Sequence, residues 1–199
     1  MEFKIKLSNI VNFTINKAIQ IFGIIIIVFS IIFMLSLISY SPNDPNFIFP
    51  NEKEINNLIG IKGSILSDFF FQSIGLVSVL IPLTFIFVGI NIFSQKKITV
   101  IIECFFLVIL YSLVGSVFLS YFYFNSFWLS INGNGGYVGS FLLDLFFESF
   151  IKLNEKLFFY IFIFIISCLF FLSLKLNLKN IFLYFLKRRN QKTQNIINS

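Results

Sequence analysis

Apolar residues along this chain come in long runs rather than in a helical or strand alternation. About 20 consecutive apolar residues are needed to cross a bilayer core as a helix. The pattern predicts four such spans, at residues 19–39, 72–93, 101–121 and 157–174. The first ends at Tyr40-Ser41-Pro42-Asn43-Asp44-Pro45, where two prolines in a turn-forming run stop the helix. Its apolar run exceeds a signal-peptide core and no small-residue cleavage site follows, so it is read as an uncleaved span. Pro82 falls within the second span, where neighbouring groups are expected to satisfy the carbonyl it frees. The third and fourth spans hold the two cysteines, Cys104 and Cys168, placed as small buried hydrophobes.

Polar positions carry a second pattern. Gly60, Gly63, Ser64, Leu66, Asp68, Phe70, Phe71 and Ser73 return 76 positions later as Gly136, Gly139, Ser140, Leu142, Asp144, Phe146, Phe147 and Ser149, without a gap. This divides the chain into two halves, each a span, a loop, a motif and a span. Both motifs follow an outward-running span, so the halves are expected to be parallel repeats rather than inverted ones. Gly63 and Gly139 are expected to make a tight turn, and Ser64 and Ser140 to cap the helix that follows. Asp68 and Asp144 are expected near that helix's positive end. Leu66, Phe70 and Phe71, with Leu142, Phe146 and Phe147, are expected to lie flat in the headgroup region as interfacial segments. The run 132–136 before the second motif is expected to be a flexible turn.

Charge orients the pattern. With four spans, the ends and the 95–100 turn share a side that holds eleven Lys and Arg against two acids, a net +9. The other side holds four Lys against seven acids, a net −3. By the positive-inside rule both termini are cytoplasmic, residues 1–18 forming an inner N-terminus and 187–199 a basic, disordered tail. Glu103 is expected at the inner end of span three, near Lys96 and Lys97.

Composition then narrows the chemistry. The 199 residues are 57% hydrophobic and 12% charged, too apolar for a soluble domain of this size. No histidine is present, and no phosphate loop, nucleophile elbow or His–Glu metal motif occurs. No cofactor, metal site or enzymatic activity is expected of these residues, and the positive net charge of 6 is assigned to membrane edges rather than nucleic acid. Two acids in related motifs leave a small polytopic transporter or channel subunit as the alternative reading.

The order of Pro42, Asp44 and Pro45, then Asn57 through Gly60 and Gly63, then Asp68, Phe71, Gly75 and Pro82, and finally Gly135, Gly136, Gly139 and Ser140, resembles one known family. It is similar to the N-terminal four-transmembrane domain of FtsK/SpoIIIE-type septal DNA translocases, over about residues 18–186. The resemblance implies an all-α membrane-anchor domain in a bacterial inner membrane, at the division septum. It implies other division proteins and further copies of the chain as partners, and a separately encoded or truncated DNA-translocase motor. The ATPase of that family is not expected within these residues.

Overall fold

The computed structural model describes residues 2–46, 55–126 and 128–175, with side chains from Ser8 onward. The basic tail at 187–199 lies outside the described residues. Every regular element described is helical. Helix α1 runs Glu2–Ile38, α2 Ile61–Ile74, α3 Leu80–Gln95, α4 Val100–Phe122, α5 Gly136–Leu142, α6 Glu148–Leu153 and α7 Glu155–Ser173. A 3₁₀ segment, Gly75–Val79, joins α2 to α3, and a π-helical segment, Leu143–Phe147, joins α5 to α6. Four stretches are long and apolar enough to cross a membrane: Ser8–Ile38, Ile61–Gln95, Val100–Phe122 and Glu155–Ser173.

These agree with the four expected spans, with two differences. Helix α1 begins at Glu2, so the expected inner N-terminus continues the first span's helix. The second stretch is broken, because Gly75 at φ 70° ends α2 before α3 begins. The break explains Pro82. It is the third residue of α3, within the first turn, where an N–H has no intrahelical partner to lose. The Leu80 N–H there faces the carbonyls of both Val77 and Ser78.

Two antiparallel pairs form the bundle, α1 with α3 and α4 with α7, and the short 95–100 turn links them. This end of the bundle is the turn end; residues 39–46, 55–60, 123–126 and 128–135 lie at the opposite, loop end. Little of the pairing of α1 and α3 comes from water exclusion, since lipid is as apolar as the side chains, and close backbone approach supplies it instead. A Cβ on Gly23 would lie 2.9 Å from the Gly89 carbonyl, and one on Gly89 would lie 2.6 Å from Ile27 Cγ1. Val88 and Ile92 are fully buried beside this crossing.

Several polar groups inside the bundle satisfy one another, although the Ser78, Ser112 and Ser120 hydroxyls have no partner among the described residues. Thr84 Oγ1 lies 3.1 Å from Tyr111 Oη and 3.2 Å from Ser173 Oγ. Asn91 donates to the Leu174 carbonyl at 3.1 Å, and Cys104 Sγ–H donates to that of Ser173. Cys104 is buried as expected, whereas Cys168 is exposed on α7. Glu103 does not meet Lys96 or Lys97. It pairs with Lys175, tying the start of α4 to the end of α7. The antiparallel packing of those helices puts the two groups at one depth, while Lys96, at φ 55°, terminates α3.

Candidate functional site: the loop-end cap

A polar cap closes the loop end, and Asp44 anchors it. Ser41 to Asp44 forms a turn with Pro42 at its second position, closed by the Asp44 N–H on the Ser41 carbonyl at 3.2 Å. The turn folds the Asp44 carboxylate under the chain, where it is 6% exposed. Burying a carboxylate is costly unless donors surround it. One oxygen accepts from the Asn56 N–H and side-chain amide, each at 3.0 Å, and the other from the Asn57 N–H at 2.8 Å. Pro45, also buried, accepts from Ser64 Oγ at 2.6 Å.

Asn57 carries the connection into α1. The last carbonyls of a helix lack intrahelical donors. The Asn57 amide donates to those of Ser36 at 2.9 Å and Ser39 at 3.3 Å, and its oxygen accepts from the Ile59 N–H. Ser36 Oγ donates to the Gly63 carbonyl at 2.6 Å. Gly63 is therefore not a turn residue. It is helical and buried, and a Cβ there would run into Asn57 Oδ1 and come within 2.5 Å of Ile59 Cβ. The positive φ falls instead on the first glycine of each motif, Gly60 at 73° and Gly136 at 68°. The helices thus start at Ile61 and Gly136, upstream of the serines. Ser64 and Ser140 cap nothing, and Ser140 returns its proton to the carbonyls of Gly136 and Tyr137.

The two aspartates part company. Asp68 lies two turns into α2 and accepts from Tyr40 Oη at 3.1 Å. Burial, and then the charge of Asp68, holds the Tyr40 hydroxyl well above the ordinary tyrosine range, so it stays a donor. Asp144 is exposed on the π-helical segment and has no hydrogen-bond partner among the described residues. The aromatic residues differ likewise. Phe71 is 5% exposed against Leu37, Tyr40 and Leu129, and Phe70 packs its ring on Phe33 at 4.7 Å. They do not lie flat as expected, because the end of α1 covers them. Phe146 is 61% exposed, and Phe147 keeps an edge contact with Phe162.

The expected flexible turn is a packed joint. The Asn134 carbonyl accepts from the Leu76 N–H at 2.9 Å, while its amide donates to the carbonyls of Tyr123 and Asn125. The Asn132 amide donates to Gln72 Oε1 at 2.9 Å. A Cβ on Gly75 would strike the Asn134 carbonyl, and one on Gly136 would lie 2.6 Å from the Gly75 nitrogen. Gly135 and Gly139 press on Ser116 and Ser120 of α4, and Ser116 Oγ donates to the Ile74 carbonyl at 2.8 Å. The asparagines and this serine–glycine stripe of α4 escaped sequence reasoning. The i, i+4, i+8 spacing of Ser112, Ser116 and Ser120 was the available signal.

Four long apolar helices joined in antiparallel pairs, with polar side chains concentrated in one cap, define a polytopic membrane domain with no cluster of three metal-ligating acids, cysteines or histidines among the described residues. Residues 17–181 match the 4TM region of DNA translocase FtsK/SpoIIIE, and the chain belongs to that family, one of cell division and chromosome segregation. The chain is 38% identical over 101 residues to DNA translocase FtsK of Rickettsia typhi, covering 51% of this chain and 13% of that protein. Against DNA translocase FtsK of Rickettsia prowazekii the figures are 34% over 107 residues, 52% and 14%. Against that of Rickettsia bellii they are 43% over 60 residues, 30% and 8%. The chain thus matches a small part of each relative's length. No solved structure matches it.

Proposed function

We propose that this chain is the membrane anchor and septal scaffold of a bacterial DNA translocase, acting in cell division and chromosome segregation. The observation that carries the reading is the cap, in which residues of the family's motif order hold the loops together. Asp44, Asn57, Gly63, Gly75, Gly136 and Gly139 all serve to lock loops rather than to expose reactive groups. In this reading both termini are cytoplasmic, and the cap faces outward to other division proteins. Copies of the chain associate through lipid-facing helix surfaces, and the DNA motor works from the cytoplasmic side, outside these residues.

The parallel-repeat arrangement is part of the proposal. Its support is the shared positive φ of Gly60 and Gly136 and the shared burial of Gly63 and Gly139. The transporter alternative asks for acids in the middle of the bundle. Among the described side chains, Asp44 and Asp68 lie in the cap, Asp144 on the π-helical segment, and Glu103, Glu148 and Glu155 in the first turns of α4, α6 and α7. Tagging the chain with a fluorescent protein in dividing rod-shaped cells tests the proposal. A midcell band is expected, weakened when Asp44 and Asn57 are both replaced by Ala; even labelling of the whole envelope by the parent chain refutes it.

A further inference from the structure

Helix–helix grooves in a membrane domain are filled by lipid unless protein covers them, and three grooves among the described residues invite comparison. One of about 320 Å³ between the 3₁₀ segment, α4 and α7 carries no charged residue. One of about 820 Å³ between α4 and α7 ends at Lys175, but that cation is already held by Glu103. The third, of about 660 Å³, runs along α1 and is walled by Phe22, Ile26, Phe29, Phe33, Leu66 and Phe85. At its loop-end mouth stands Lys62, exposed and without an acidic partner among the described residues.

We propose that this third groove is a binding site for an anionic phospholipid, one acyl chain lying along α1 and the headgroup phosphate on Lys62 Nζ. The dimensions suit that occupant. From Phe22 to Ser36 the groove follows α1 for about 21 Å, at 1.5 Å per residue. That exceeds the roughly 15 Å depth of one leaflet, so a chain from the nearer leaflet is accommodated along its length. The volume lies within the range of sites that enclose small ligands. The wall is apolar, and its polar members spend their protons inside the protein, Ser30 Oγ on the Ile26 carbonyl and Ser36 Oγ on that of Gly63. Headgroup recognition therefore falls to Lys62. The motif does not require that cation for its own fold, because its second copy has Val138 at the same position.

The test uses the full chain in phosphatidylcholine vesicles, with Trp128→Phe removing the native indole and Phe29→Trp reporting from the groove. Brominated phosphatidylglycerol and brominated phosphatidylcholine are compared as quenchers at equal mole fraction. One lysine against one anionic headgroup predicts a roughly fivefold preference for phosphatidylglycerol, which falls to parity in Lys62→Gln. Ile25→Trp serves as an independent reporter with the same expected outcome. Equal quenching by the two lipids with Lys62 present, or a preference that survives Lys62→Gln, overturns the proposal.

Discussion

Replacing Asp44 by Ala unlocks the cap. The carboxylate accepts three hydrogen bonds, and those to an ionised group contribute about 1.5–3 kcal/mol each before desolvation is counted. Asn56 is exposed and its groups turn to water when the carboxylate goes. The Asn57 N–H is buried and is left without an acceptor, at a cost of about 1–3 kcal/mol. Since removing the carboxylate also relieves its own burial, a net loss of about 2–4 kcal/mol in local stability is expected. Asp44→Asn, which keeps one acceptor oxygen, loses about half as much. Hydrogen exchange on the reconstituted chain reads this directly, because amide opening rates report local free energy. Exchange across residues 55–60 is expected to rise roughly thirtyfold to a thousandfold in Asp44→Ala, at a tenfold change per 1.4 kcal/mol. Exchange in the middle of α3 and α4 is expected to stay unchanged. An increase of less than about threefold at 55–60, or an equal increase throughout the bundle, refutes the reasoning.

Other consequences follow from the same geometry. Gly89→Leu forces α1 and α3 apart at the Gly23 crossing and is expected to destabilise the bundle by about 1–3 kcal/mol, read as a lower unfolding midpoint in detergent. Tyr40→Phe loses the bond to Asp68, about 1–2 kcal/mol at neutral pH. The Tyr40 hydroxyl is raised in the folded state, so its contribution is full below the unfolded tyrosine value near 10 and is lost as pH rises above it. Protection of the Tyr40 and Phe71 amides, taken relative to the base-catalysed intrinsic rate at each pH, should therefore fall above about pH 10 in the parent and less in Tyr40→Phe. Ser112 Oγ is buried with no partner among the described residues, so Ser112→Ala is expected to be neutral or slightly stabilising. Ser116→Ala orphans the Ile74 carbonyl and is expected to cost about 1–2 kcal/mol by the same melting assay.

Much of the architecture was legible because apolar run length measures the bilayer directly. The four spans and the stop after Ile38 follow from one-dimensional patterns, whereas the pairing of α1 with α3 and of α4 with α7 does not. The motif glycines were legible as constraints, but their roles were misassigned. Whether a glycine serves backbone angle or close approach depends on what lies beside it, and Asn57 beside Gly63 is a tertiary fact. Glu103 was matched to the lysines nearest in sequence, whereas antiparallel packing delivered Lys175, 72 positions away. The two motifs look alike in sequence, yet only the first is covered, because the end of α1 reaches Phe70 and Phe71 and no described helix covers Phe146 in the same way. The partners of the cap asparagines were invisible for the same reason. An asparagine in a loop is ordinary until its amide is found on the carbonyls of another helix's end.

The account rests on the cap facing away from the cytoplasm, and labelling by a membrane-impermeant maleimide tests this most directly. In a chain with Cys104 and Cys168 replaced by Ala, single cysteines at Asn43, exposed in the cap, and at Lys97, exposed in the turn between α3 and α4, are probed in spheroplasts. Asn43→Cys is expected to react before lysis and Lys97→Cys only after it. The reverse order would place the cap in the cytoplasm and contradict the account.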